Sequence, residues 1–247
     1  MIKSKIKITS KSVMKSGREN MIVLAIEMSS AENDVALLRD GKILARRMWH
    51  ARAFHHTRLF DLLREVLAET GVQPEQIDLF AVGRGPGSFS GMRIALTAAQ
   101  AFAMPSGKPV VAVSSGAALA RVVAAAGGTE KIAVIGDARR DTIWLGVFDG
   151  KTGAPALPAP WITLSLTQLA DVLPAGAKIV SPDWARLAPH WPVNLPQPIE
   201  LFPTAAAVAQ LALEQHASSA APEPLLPIYL HPAVATPPAC PTSLPRA

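Results

Sequence analysis

Cysteine is almost missing from this sequence: Cys240 is the single one in 247 residues. That excludes an internal disulfide, and a reducing cytoplasm is the expected compartment. The six histidines, His50, His55, His56, His190, His216 and His231, form no H-x-x-x-H or H-E-x-x-H pair. A closed metal site is therefore not expected, and none is assigned. His55 and His56 open a predicted helix and read as surface or interface groups. No run of about 18 or more apolar residues escapes charge or proline, so nothing reads as a membrane span. An excess of positive charge is also lacking over most of the chain. Residues 1–20 hold six basic groups and one acid, whereas the remaining 227 residues hold 18 basic and 18 acidic ones. The high pI belongs to this leader, and charge gives the body no grip on a phosphate backbone.

What the chain does have is apolar sequence, 49% of it, broken at regular intervals. IVLAIE over 22–27 predicts a buried strand, and DVALLR and KILARRMW flank Asp40–Gly41 as a hairpin. Residues 55–69 space their leucines as an amphipathic helix. Residues 77–82 predict a strand, 90–104 a helix, 109–113 a strand and 115–126 an alanine-rich helix. The order then recurs: a strand ending in Glu27 precedes Asp40-Gly41-Lys42, and one ending in Asp137 precedes Asp149-Gly150-Lys151. This spacing suggests a duplicated unit and two similar α/β lobes; unrelated strands that share turn chemistry are the alternative. The expected divisions are a basic leader over 1–20, a first lobe over 21–114, a second over 115–230 and a proline-rich tail over 231–247. TLSLTQLADVL and TAAAVAQLALEQHA predict helices, and KIVSP a short strand.

The densest signal is GRGPGSFSG over 83–91, between an apolar run and a helix. No Lys-Ser or Lys-Thr follows, so it is not a Walker loop. The third glycine of G-x-G-x-x-G is absent, and Pro86 occupies the position a nucleophile elbow around Ser88 would give to glycine. Gly85 and Gly87 allow positive φ beside Pro86, and Ser88 or Ser90 can cap the following helix. Two readings stand: a tight turn with close packing, or contact of Gly85, Gly87 and Ser88 with an anion or nucleotide. Glu27 and Asp137, each ending a strand, read equally as turn caps or as acids that would meet a nucleotide's metal.

Taken together, LAIEMSS, HHTRLFDLL, AVGRGPGSFSGMRIAL, GKPVVAVSS, GDARRDTIWLGVF and LLPIYL resemble the bacterial TsaB (YeaZ) family, from about Met21 to Tyr229. The block Gly85–Arg93 is the most specific part. The resemblance implies a duplicated actin-like and sugar-kinase-like fold with ribonuclease H-like lobes. It implies a non-catalytic accessory subunit of the complex that places a threonylcarbamoyl group on the adenosine beside the tRNA anticodon. Its partners would be the catalytic paralogue TsaD and the ATPase TsaE, or a second copy of itself, with tRNA reached only through the complex. No cofactor of its own is implied; ATP or ADP would lie at the subunit junction. The paralogue's metal-binding H-x-x-x-H has no counterpart in VAVSSGAALA, which carries Ser114 and Ser115. Glu27 also departs from the aspartate usual in the family.

The same resemblance implies an interface on the two first-lobe helices, with Leu59, Phe60, Leu63 and Leu67 from one and Met92, Leu96, Ala99 and Phe102 from the other. An apolar stripe at helical spacing also describes plain core. An active ATPase or phosphotransferase of the same fold, using Glu27, Asp137 and the glycine loop, is the competing function. A metalloprotease-like hydrolase fails on histidine spacing.

Overall fold

The computed structural model describes residues 20–51, 58–156, 160–218 and 223–231. His55, His56 and Cys240 lie outside these residues, as do all but the last residue of the leader and all but the first of the tail.

Strands β1 (Ile22–Glu27), β2 (Glu32–Arg39) and β3 (Lys42–His50) form an antiparallel meander. Asp40 and Gly41 join β2 to β3 at φ values of 51° and 74°, the left-handed pair a tight hairpin turn needs. Helix α1 (Arg58–Thr70) leads to β4 (Leu79–Gly83), helix α2 (Phe89–Ala103) to β5 (Val110–Val113), and α3 (Ser115–Ala126) leaves the sheet. β4 and β5 add in parallel, giving the order β3-β2-β1-β4-β5.

The second half repeats the design. Strands β6 (Lys131–Arg139), β7 (Thr142–Asp149) and β8 (Ile162–Leu164) form the meander, and β9 (Lys178–Ser181) and β10 (Ile199–Glu200) add in parallel. The order β8-β7-β6-β9-β10 matches the first sheet strand for strand. Short helices α4 (Leu169–Val172) and α5 (Trp184–Leu187) and the long α6 (Ala205–Ala217) complete the chain. The stretch 163–173 is thus not one helix. Ile162, Thr163 and Leu164 pair with Leu145, Trp144 and Ile143, so an open sheet edge overrides the local helical pattern.

Strand alternation separates four apolar clusters. Leu24 and Ile26 face α1 and α2, while Val23 and Ala25 face α6 and Ala118 of α3. Leu119 and Val123 of α3 meet Ile132 and Val134 of β6, whose neighbours Ala133 and Ile135 face α4 and α5. Helix α6 falls within the segment 115–230 that the sequence assigns to the second lobe, yet it packs on the first sheet. Ala205, Ala207, Ala209 and Ala212 keep it slim enough to lie close, and buried Asp34 on β2 accepts the Ala205 N–H at 2.8 Å.

Candidate functional site: the glycine loop, two strand-end acids and an exposed helix face

The glycine loop lies against backbone. An added Cβ at Gly87 would stand 2.0 Å from the Ser29 carbonyl oxygen, and one at Gly91 would stand 1.9 Å from that of Met28. The Ser88 N–H donates to the same Ser29 oxygen at 2.7 Å. Gly85, at φ 92°, is held from both sides of its peptide: its N–H donates to Ser115 Oγ at 3.0 Å, and its carbonyl accepts from Ser115 N at 2.8 Å. Ser88 Oγ caps α2 by accepting the Gly91 N–H at 3.3 Å. Of the two readings of the loop, close packing accounts for each of these positions.

Glu27 is buried at the end of β1. One carboxyl oxygen, Oε1, accepts the Ser29 N–H at 2.7 Å, while Oε2 has no hydrogen-bond partner. A Cβ at Gly83 would overlap Oε2, so the missing side chain there makes room for the carboxyl group. Burial raises the Glu27 pKa, and the hydrogen bond from Ser29 offsets it only in part. Burial thus makes ionisation of this carboxyl group harder than in water. Asp137, at the matching position on β6, is treated in the opposite way. Arg139 meets it through the backbone N–H at 2.8 Å and the guanidinium at 2.9 Å, and Arg186 stands 3.6 Å away. The Asp137 N–H donates to Asp183 at 3.1 Å, and burial raises the Asp183 pKa. Among the described residues no three His, Cys, Asp or Glu side chains are grouped to hold a metal.

The structure corrects the expected interface. Leu59, Leu63, Met92, Leu96 and Ala99 are buried within the chain, because the sheet takes the broader apolar face of each helix. They are not a docking surface. What α1 and α2 present outward is Phe60, 45% exposed, stacked on the half-buried Phe102 at 6.3 Å. Leu67 is also half-buried. Phe60, Phe102, Pro74, Glu75 and Pro105 line a groove of 430 Å³, and the neighbouring Met104 is 78% exposed.

Sequence reasoning missed the role of the stretch 223–231. The Arg84 guanidinium donates to the Pro224 carbonyl at 2.8 Å, and Arg93 donates to the Tyr229 hydroxyl at 2.9 Å while lying over the Phe89 ring. His231 Nε2 donates to the Ala138 carbonyl at 2.8 Å, so the stretch joins both lobes. No local pattern marks such contacts, which link residues 93 to 140 positions apart.

The solved structure of YeaZ from Pseudomonas aeruginosa superposes with a TM-score of 0.70 at 31% identity, over 85% of this chain and all of that one. The chain belongs to the TsaB/YeaZ family. Its fold is accordingly the duplicated actin-like architecture. A family model described as "TsaD: tRNA N6-adenosine threonylcarbamoyltransferase" matches residues 49–159, the stretch from the end of β3 through β7. The tRNA threonylcarbamoyladenosine biosynthesis protein TsaB of Bacillus subtilis is 32% identical over 133 residues, and that of Escherichia coli 31% over 124. These alignments cover 54% and 50% of this chain. The chain spans only 57% and 53% of the lengths of those two relatives. No helix among the described residues is long and apolar enough to cross a membrane.

Proposed function

We propose that this chain is a non-catalytic subunit in tRNA threonylcarbamoyladenosine biosynthesis and that it acts by docking on the TsaD paralogue. The observation that carries the reading is the contrast between its two prominent features. The glycine loop and Glu27 are closed in by their own lobe, while α1 and α2 turn the Phe60–Phe102 pair and a 430 Å³ groove to solvent. Paired aromatics beside a concave apolar surface are the composition of an interface centre. Relatives named for this pathway support the reaction context. Without TsaD, the same face joins two copies of the chain. TsaE and tRNA are reached through the complex, and ATP or ADP belongs to the junction of subunits rather than to this chain alone.

The test replaces Phe60 and Phe102 with aspartate and follows co-purification with TsaD, alongside tRNA modification reconstituted with and without the chain. Loss of the complex from a folded double variant, with loss of modification, is the expected outcome. An undiminished complex removes this face as the interface. Calorimetry addresses the competing ATPase reading: steady ATP turnover by the isolated chain would replace the docking account.

A further inference from the structure

The stretch 223–231 crosses from one lobe to the other and is anchored in both. On the first lobe, Leu225 packs against the cluster that holds Leu24 and Phe80. Arg84, the residue after β4, meets the stretch through the Pro224 carbonyl at 2.8 Å and the Glu223 carboxylate at 3.4 Å. The Arg84 carbonyl accepts the Ile228 N–H at 2.9 Å. The Tyr229 hydroxyl accepts from Arg93 at 2.9 Å, and its ring lies 5.4 Å from that of Phe89. On the second lobe the hold is slighter. Leu230 packs against the cluster that holds Ile132 and Phe148, and His231 Nε2 donates to the Ala138 carbonyl at 2.8 Å.

Two short crossings also join the lobes: residues 127–130 lead from α3 to β6, and 201–204 lead from β10 to α6. The first opens with Gly127 and Gly128 at φ 69° and 84°, and an added Cβ at either would meet nothing within 4 Å. Gly127 ends α3, where a left-handed residue is ordinary. Gly128 adds a second that neither the helix end nor close packing calls for, as a pivot would. Helix α3 lies between the lobes, with Ala118 in one apolar cluster and Leu119 and Val123 in another, an arrangement that allows sliding. Two bodies joined at two points keep a rotation about the line through those points, and a third attachment off that line removes it. Ala138 is such a point. It lies seven residues along β6 from Lys131, about 23 Å, whereas the other crossing leaves from β10, two strands away. We propose that 223–231 is a clasp that fixes the angle between the lobes, and that it opens at its second-lobe end, where Leu230 and one hydrogen bond hold it. Because the clasp spans the ends of β4 and β6, it sets how far the space between the lobes opens.

Ala68 on α1 and Ala170 on α4 are exposed and mark the two lobes. In the full-length chain carrying Ala68→Cys, Ala170→Cys and Cys240→Ser, spin labels on the two new thiols report the separation of the lobes by double electron–electron resonance. The labelled parent should give one narrow distance. Adding Leu230→Ala with His231→Ala should produce a population at longer distance while far-UV circular dichroism stays unchanged. Leu226→Ala, a 63% exposed position on the same stretch, should leave the distance as it is. An unchanged distribution in the folded Leu230→Ala, His231→Ala protein overturns the proposal. So does a longer distance in Leu226→Ala, because the shift would then not come from the second-lobe anchor. Should the double replacement unfold the chain, His231→Ala alone is read with the same labels. A longer distance supports the clasp, and an unchanged one overturns it.

Discussion

Replacing Gly91 with alanine sets two effects of known size against each other. Gly91 lies in the first turn of α2, where alanine gains at most about 1 kcal/mol of helix propensity over glycine. On that ground alone the variant should be stabilised. The new methyl carbon, however, would stand 1.9 Å from the Met28 carbonyl oxygen and 3.1 Å from its carbon. Neither is the end of a flexible side chain, so α2 must move away from the end of β1. Overpacking of this kind costs about 1–3 kcal/mol. The shift also strains the hydrogen bond from Ser88 N to Ser29, worth about 1 kcal/mol. The balance is a destabilisation of about 1–3 kcal/mol. For a chain of this length that lowers Tm by roughly 2–12 °C. Urea unfolding of the two proteins, with Ser90→Ala as an exposed control on the same turn, measures it. A Gly91→Ala protein as stable as the parent would refute the close approach of loop and strand on which the reading of GRGPGSFSG rests.

Three other outcomes follow from the same geometry. Glu27 holds its proton in the folded chain above the ordinary carboxylate value of about 4.5, so its contribution to stability is complete below that pH and is lost as pH rises through the raised value. Glu27→Gln keeps the acceptor for Ser29 but cannot ionise. Its stability measured from pH 4 to 9 should lack that decline, and identical slopes in the two proteins would count against a buried neutral acid. Asp34→Ala strips the partner from Arg46, bound at 2.6 Å, and from the N-terminus of α6, and should cost about 3–5 kcal/mol in urea titrations; a loss under 1 kcal/mol would contradict this anchoring. Leu63→Asp should lower stability by more than about 4 kcal/mol, because it buries a carboxylate without a partner, whereas Phe60→Asp should leave Tm nearly unchanged.

The strands and hairpin of the first lobe were legible because their signals are local. Alternation across 22–27 and the Asp40–Gly41 turn need no distant partner to be recognised. The duplication was legible from Glu27 and Asp137 with their following Asp-Gly pairs, although the two pairs do different work. Asp40–Gly41 makes a tight turn, whereas Asp149 accepts from Lys151 N and Thr152 N at the start of a longer connection to β8. Which face of α1 and α2 is buried was not legible. Both helices carry apolar residues on more than one side, and only the sheet's position decides that Leu63 is core while Phe60 is surface. The roles of Ser114 and Ser115 escaped for the same reason, since the Gly85 they hold is about 30 residues away in sequence. The destination of α6 depends on Asp34, 171 positions earlier.

The duplication sets the two strand-end acids against each other. β1 and β6 occupy the same place in sheets of the same strand order; β1 ends in Glu27, and β6 carries Asp137 two residues before its end. A site for a nucleotide's metal would need both acids ionised and open. Glu27 is not open, since Gly83 and Ser115 close around it, and burial raises its pKa. Asp137 is free of burial on that scale, but Arg139 and Arg186 already neutralise it. The two ends are disarmed by unrelated means, burial in one lobe and cation pairing in the other. Restoring one acid would therefore leave the other unfit, and no single substitution at either end should yield phosphotransfer. That independence supports the proposed docking role of the outer face of α1 and α2.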